Sequence, residues 1–448
     1  MNIADFLLRL QQQDELLAID AEIDARLELA ALTDLVRKRE GPALLFNRVE
    51  GSNLRLITNL FGSAGRMAAA LGTPTLQEFG CDLATRLAQL PEGDSAARLR
   101  ALEQSITDRE VPSLRSIAEE NLDFLPQIRF WPAEERTFLT LAVVISRSPQ
   151  QPNQNFGLYR VGVQGKRQLL LNLLPGSGGA AHLSQWRERG QPMPVAILLG
   201  ADPVLIFAAA AALPAGMEEN RFSALLEGSY HNWCQAATLP LRLPASGQIL
   251  IEGLVDGKRQ VEEGPFGCYR GDYGGGNACP VVEISAIRRV ENPLLPLTLA
   301  GPLPMEDCWL ARANLELVQA RLRIDLPGIE RLQMPLETAF HGLYFVRASG
   351  IETVADLARQ LQQLGYLRPL RMLALLGDDD PDANEHNWRK LLQTVSRERI
   401  WRQADDDLDR LLRGERPRLQ HDPRLVARMS DLLGRYMRQK MIDGGGGV

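Results

Sequence analysis

The chain is expected to fold as a multidomain α/β (α+β) protein. It should have an N-terminal α/β unit, a β-rich middle and a smaller C-terminal α/β unit closed by a helix. Three observations predict this. Helical spacing of Leu, Ile and Val alternates with short apolar runs near the start, the texture turns to strand-like runs from Phe138, and a long helical stretch after Glu306 leads back to alternation. With 448 residues, 45% hydrophobic and 24% charged, the chain has material for two or three packed cores.

In the first unit, set at 1–115, the spacing predicts helices over Ile3–Gln12 and 27–40, with strands at Ala43–Phe46 and 54–58 between turn residues. Residues 91–95 read as a surface loop. The middle unit, 116–310, carries apolar strand-like runs at 138–145, 159–163, Gln168–Leu171, 248–251 and 281–287. Within it, 194–213 is apolar enough to resemble a membrane span, but Asp202 and Pro203 cut it. An acidic cap followed by proline at the first helical position predicts a buried strand at 195–199 and a buried helix from Pro203. In the third unit, 311–415, the helix running to Arg321 is followed by 342–346, 353–364 and 371–376 as strand, helix and strand. The last part, 416–448, places Leu425, Met429, Leu432, Leu433 and Tyr436 on one helical stripe. That stripe must dock on another unit or another subunit, giving way to a Gly-rich end at 444–447 expected to fray.

Charge and cysteine usage remove several function classes. Fifty Lys+Arg against 56 Asp+Glu give a net charge of -6, so nothing draws the chain to nucleic acid or an anionic membrane. The five cysteines form no CxxC pair, and an odd count argues for reduced thiols rather than a disulfide framework. The N-terminus lacks a cationic start followed by an apolar core, so a cytoplasmic location without a membrane span is expected.

Two segments carry chemistry. Asn155-Phe-Gly-Leu-Tyr-Arg160 ends a strand with an arginine that can grip a carboxylate or phosphate by paired, charge-assisted hydrogen bonds. Glu262-Glu-Gly-Pro-Phe-Gly-Cys268 forces a turn around an aromatic residue and holds Glu263 where a turn presents a side chain to a cleft. Either segment alone also fits a surface strand arginine or a turn with solvated acids. Gly176-Ser-Gly-Gly179 and Gly274-Gly-Gly276 match neither a Walker loop nor a dinucleotide fingerprint. The five histidines form no HExxH, and no GxSxG elbow occurs.

Taken in order, these blocks resemble the UbiD family of reversible non-oxidative decarboxylases. Gly41-Pro-Ala-Leu-Leu-Phe46 with Asn59-Leu-Phe-Gly62 is similar to the family's N-terminal domain. Trp131-Pro132, Ile145-Ser-Arg147, Asn155 to Arg160, Pro192 to Val195, Ile249 to Gly253, Glu263-Gly-Pro-Phe-Gly267, Gly301 to Asp307 and Met334 to Glu337 follow in family order. The resemblance implies a central split β-barrel holding prenylated flavin mononucleotide through its phosphate. It assigns Arg160 and Glu263 to catalysis, and Asn155, Gly157, Tyr159, Arg160 and Pro265 to the cofactor. It further implies a small aromatic or conjugated carboxylic acid as substrate, a flavin prenyltransferase as cofactor supplier, and a homo-oligomer of two or more copies.

Three departures accompany the resemblance. The family's second acid is replaced by Cys268, whose thiol can carry a proton but supplies neither a negative charge nor paired oxygens. Asp272 is the nearest acid that a turn at Gly271 might fold inward in its stead. The family's Mn or Mg ion is held by an asparagine, a histidine and a glutamate. Here Asn155 matches, the histidine's place falls near Gly176 or Ser177, and the glutamate's falls near Asn232. A neutral amide in place of a carboxylate weakens a hard-cation site, and His182 and His231 are the neighbours that could compensate. The charged segment after the acidic turn 376–382 is also shorter than the family's. Two functions therefore stand side by side: a decarboxylase with a remodelled site, and a catalytically silent UbiD-like subunit of a larger carboxylase or biosynthetic complex.

Overall fold

The computed structural model describes residues 1–444 apart from positions 91, 113–115, 229, 368 and 416–417, with side chains as far as 438. The expected loop at 91–95 therefore lies partly outside the described residues, as does most of the Gly-rich end at 444–447. The Ile3–Gln12 helix forms as its spacing predicts, with Ile3, Phe6, Leu7 and Leu10 buried. Strands Leu16–Ile19, Ala43–Phe46 and Arg55–Thr58 lie side by side against it and against helix Glu28–Arg37. The fourth strand of this sheet, Leu294–Leu297, arrives from far down the chain and pairs in parallel with Arg55–Thr58. The unit set at 1–115 thus borrows a strand from the segment set at 116–310.

The middle sheet runs in space through Phe138–Leu139, Val161–Gly165, Gln168–Leu171, Ala278–Arg289, Ile249–Glu262, Met193–Leu199, Val143–Arg147 and Gln154–Leu158, with Ile117–Glu119 paired onto Ala278–Arg289. Its ends are tied together twice. Residues 140–142 connect the first strand to the seventh, and residues 159–160 connect the eighth to the second. A link that short spans only about 10 Å, so the sheet curls until its ends lie edge to edge. The Tyr159 N–H donates to Ala142 O at 3.4 Å, which carries the Val143–Leu158 ladder one step into both connectors. The 138–145 run expected as one strand is accordingly broken at 140–142, where the chain steps from the first strand of the sheet to the seventh.

Alternate residues of these strands face two cores. Val195 and Ile197 enter one, Ala196 and Leu198 the other, which is the period-two burial of a sheet covered on both faces. The expected strand and helix at 195–199 and from Pro203 form as Met193–Leu199 and Pro203–Ala208. Asp202 stands at the cap position, but its carboxylate accepts from Ser246 Oγ at 2.5 Å rather than from the helix.

The 19-residue helix Asp307–Asp325 bridges the units. Its Leu310, Ala313 and Leu317 enter the core shared with the N-terminal unit, while Cys308, Leu315 and Val318 enter that of the C-terminal sheet Ile329–Gln333, Leu343–Ala348, Met372–Leu376 and Ile400–Arg402. The terminal helix Pro423–Gly444 docks on its own chain: Met429, Leu432 and Leu433 are buried against helix Glu28–Arg37, and Tyr436 Oη accepts from Asp20 N (2.8 Å) and Ala21 N (2.7 Å). Among the described residues no helix is long and apolar enough to cross a membrane.

Candidate active site

Arg160 and Glu263 meet. Arg160 leaves the short seam between strands Gln154–Leu158 and Val161–Gly165, while Glu263 follows strand Ile249–Glu262, whose end pairs with Ala278–Arg289. The guanidinium makes the bidentate contact expected of this pair, Nε to Oε2 at 3.1 Å and Nη2 to Oε1 at 2.5 Å. Glu263 is 2% exposed and Arg160 about a quarter exposed by side chain (23%), so the carboxylate forms the floor and the guanidinium the lip. Phe266 lies 4.1 Å from the guanidinium carbon by ring centroid and Phe138 5.8 Å, so the cation is seated on aromatic faces.

Three residues here carried no sequence signal. Asn172 donates to Glu263 Oε1 at 2.8 Å and lies 3.7 Å from the sulfur of Cys279. Burial and the neighbouring Glu263 push the Cys279 thiol up to about 12. Glu134, 1% exposed, accepts from Phe130 N (2.7 Å) and Trp131 N (3.3 Å) with one oxygen and from Gly267 N (3.1 Å) with the other. Burial raises its carboxyl to about 6 against those hydrogen bonds and the Arg160 charge. Glu134 thereby fastens the 263–267 turn to the Trp131-Pro132 segment. Trp131 fills the space beneath: a Cβ on Gly267 would stand 2.1 Å from its ring, so only glycine fits there. The Trp131-Pro132 pair was readable, but the acid two residues further on was not singled out.

The far end of the loop is built differently. Cys268 Sγ lies 3.1 Å from Asp272 Oδ1, and burial followed by that carboxylate raises the thiol. Asp272 is itself held by Arg410 (2.8 Å) and Arg270 (3.3 Å), and although burial opposes them, these partners and the thiol keep it below the usual carboxylate range. Tyr269 Oη donates to Asp407, and the backbone N–H groups of Arg418 and Leu419 both reach Gly271 O. Cys268 and Asp272, the two stand-ins for a second acid, are therefore spent on each other and on the C-terminal segment.

A cleft of about 1060 Å³ opens between the curled sheet, helix Asp307–Asp325 and the C-terminal sheet, and Asn155 lies in its wall. Asn155 packs on the start of helix Gly178–Glu188, where a Cβ on Gly178 would stand 1.9 Å from its Oδ1. Tyr159 Oη accepts from Gly179 N at 3.1 Å, beside the same helix start. Gly157 is buried in strand register with Val144, and Pro265 is half-buried in the turn before Phe266. The Asn155 amide beside the start of helix Gly178–Glu188, with Gly176 and Gly178 also lining the cleft, suits a phosphate-bearing group such as a flavin mononucleotide.

The donors that the sequence assigned to a divalent ion do not all reach this cleft. Asn232 is exposed on strand His231–Gln235, opposite Arg109, and is not among the residues lining the cleft. His231 is occupied by Asp108 (2.9 Å) and Asn220 (2.7 Å), and His182, which does line the cleft, shares its Nδ1 with Ser146 (3.0 Å). Among the described residues no three His, Cys, Asp or Glu side chains form a cation site. The pairing of Asn155 with Asn232 as metal ligands therefore does not fit, because strand pairing takes Asn232 elsewhere.

The architecture is that of UbiD-class enzymes. HmfF from Pelotomaculum thermopropionicum, in an evolved dimeric form in complex with prFMN, superposes with a TM-score of 0.74 at 21% identity, covering 87% of this chain and 88% of that one. The vanillic acid decarboxylase of Sedimentibacter hydroxybenzoicus in closed form gives 0.74 at 20%, covering 86% and 81%. The 3,4-dihydroxybenzoic acid decarboxylase of Klebsiella pneumoniae gives 0.68 at 22%, covering 84% and 82%. An uncharacterized protein of Archaeoglobus fulgidus is 29% identical over 88% of this chain and 83% of its own. Residues 105–303 match the 3-octaprenyl-4-hydroxybenzoate carboxy-lyase Rift-related domain and residues 7–83 its N-terminal domain, together more than half of the chain. The chain belongs to the UbiD family.

Proposed function

We propose that this protein is a non-oxidative carboxy-lyase acting reversibly on an aromatic or α,β-unsaturated carboxylic acid with prenylated FMN, supplied by a flavin prenyltransferase. The observation that carries the reading is the bidentate Arg160–Glu263 pair, buried at its acidic end and seated on Phe266. Two features of relatives add to it: HmfF has been seen with prFMN and with FMN, and two other superposing structures are decarboxylases of hydroxylated aromatic acids.

When bound, the flavin supplies an electron sink for the carbon that loses carbon dioxide. The start of helix Gly178–Glu188, with Asn155 and Tyr159, holds its phosphate end. Glu263, itself held by the Asn172 amide, fixes the guanidinium plane through Nε and Nη2, so Arg160 presents its remaining edge to a carboxylate. The phenyl faces of Phe266 and Phe138 exclude water around that edge and strengthen the charge contact. The five free thiols suit a reducing compartment such as the cytoplasm.

Co-expression with the flavin prenyltransferase, followed by an absorbance spectrum and mass spectrometry of the released cofactor, is expected to show stoichiometric flavin. The holoprotein should release carbon dioxide from members of a panel of aromatic and conjugated acids. Glu263→Gln should keep the flavin and lose about 100-fold or more in turnover; full activity in that variant removes Glu263 from the chemistry. The second reading, a silent subunit of a larger complex, is favoured by the locked Cys268–Asp272 turn. Absence of flavin after co-expression selects it.

A further inference from the structure

Losing carbon dioxide leaves an electron pair on carbon, and a proton has to arrive there. Neither end of the described loop offers one. Both oxygens of Glu263 accept hydrogen bonds from Arg160, and the Cys268 sulfur is turned to Asp272, whose oxygens also receive Arg270 and Arg410. Three acids line the large cleft. Asp94 is exposed and caps helix Ser95–Gln104 through Ala97 N. Glu219 accepts from Phe156 N at 2.8 Å, which sets it beside Asn155 at the phosphate end.

Asp307 stands at the other end. Its Oδ1 accepts from Thr298 Oγ1 at 2.8 Å, and the Thr298 N–H donates to Thr140 Oγ1 at 2.9 Å. The adjoining ladder pairs Phe138 with Gly162 and Leu139 with Val161. Thr140 and Arg160 are the next residues beyond that ladder, so two hydrogen bonds tie Asp307 to the connector beside the arginine. No hydrogen bond among the described residues occupies its Oδ2, and its side of the helix opens on the cleft.

We propose that Asp307 is the acid that delivers the proton to the carbon released by decarboxylation, a role that rests on the carboxy-lyase reading. Burial pushes its carboxyl above the usual carboxylate range against the Thr298 hydrogen bond, a shift in the direction a proton donor needs. In the step, the bond between the carboxylate carbon and its neighbour breaks, carbon dioxide leaves, and the electron pair stays on the neighbour. The Asp307 O–H bond then breaks, its proton forms the new C–H bond, and the aspartate regains a proton from water. The net reaction takes one carboxylate and one proton to the decarboxylated product and carbon dioxide.

The test uses holoprotein co-expressed with the flavin prenyltransferase, an acid from the panel that the wild type turns over, heavy water and 13C-bicarbonate. D307N should keep its flavin absorbance and exchange labelled carbon dioxide into recovered acid within about threefold of wild type. Net turnover with deuterium incorporation should fall about 100-fold. Exchange and turnover both unchanged overturn the proposal, and so does their falling together, which is the signature of a structural role. D307E keeps a proton donor on a longer arm. It should recover at least about a tenth of the net rate, and an Asp307→Glu enzyme that exchanges label without protonating product also overturns the assignment. If the wild-type holoprotein neither releases nor exchanges carbon dioxide, the carboxy-lyase reading itself fails and Asp307 falls with it.

Discussion

One loop carries two carboxylates that have been put to opposite uses. Glu263 at its start is sealed under the curled sheet, with one arginine, one amide and a thiol around it. Asp272 at its far end lies near the surface between two arginines, one of them from the C-terminal helix Asp406–Arg413. Both are ion pairs, yet only the first is desolvated, and desolvation makes a charge pair sensitive to the loss of a partner. The second resembles surface pairs, whose worth is small and whose role here is to fasten the turn to the third unit. The difference teaches that one end of the loop holds a desolvated charge pair while the other is a fastening.

The sharpest way to break this contrast is to remove the arginine from the sealed end. Arg160→Met leaves a 2% exposed carboxylate without its cation, and should cost about 3 kcal/mol in a denaturant titration, the lower part of the range for a broken buried pair because Arg160 is partly exposed. Arg160→Met combined with Glu263→Leu should recover most of that stability and none of the activity. A double variant as unstable as the single one would mean that packing on Phe266, and not the charge, holds the site together.

Glu134 sharpens the comparison from beneath the loop. Its folded value of about 6 lies above the reference 4.5 because burial disfavours the charged form. The folded protein therefore binds this proton more tightly, so the contribution is full below pH 4.5 and is lost as pH rises through 6, a change of about 2 kcal/mol. Glu134→Gln should remove that slope between pH 4.5 and 6. It should also cost about 1–3 kcal/mol, since its amide nitrogen meets backbone donors where an oxygen accepted them. Melting curves across the interval check both; an unchanged slope assigns the titration to another group.

What was legible follows from where the signal is local. Helix Ile3–Gln12, strand Ala43–Phe46 and helix Val354–Leu364 carry their own periodicity and turn residues, and they form within a residue of expectation. Helix Leu76–Ala88 went unread although Thr75 caps it through Glu78 N and Leu76, Phe79, Leu83 and Leu87 make its buried stripe. Strand Ile249–Glu262 is far longer than the run at 248–251, because the charged stretch through Lys258 and Arg259 masks a bulge beyond which Gln260–Glu262 pair again. At the site, Arg160 and Glu263 were visible as an arginine after a strand and an acid before a forced turn. Asn172, Cys279 and Glu134 were not, because their roles arise only when strands distant in sequence are laid side by side. Asn232 was misplaced for the same reason, its strand pairing with Asp108–Glu110 rather than bordering the cleft.

The smallest expected effect concerns the thiols, one at each end of the loop. Cys279 is 2% exposed and raised by burial and by Glu263, whereas Cys268 is half-buried and raised by burial and then by Asp272, with Arg270 pulling the other way. Asp272→Asn removes the acid and leaves the arginine, so the Cys268 thiolate fraction at pH 8 should rise and alkylation by iodoacetamide should quicken severalfold. Stability should change by no more than about 1 kcal/mol, because the lost ion pairs are partly solvated. The turn itself should survive, since the Arg418 and Leu419 N–H groups still bind Gly271 O. Peptide mapping distinguishes the two cysteines. Labelling at Cys279 with the same gain would show the curled sheet opening as a whole, and the loop would then have one coupled behaviour where two separate ends are described.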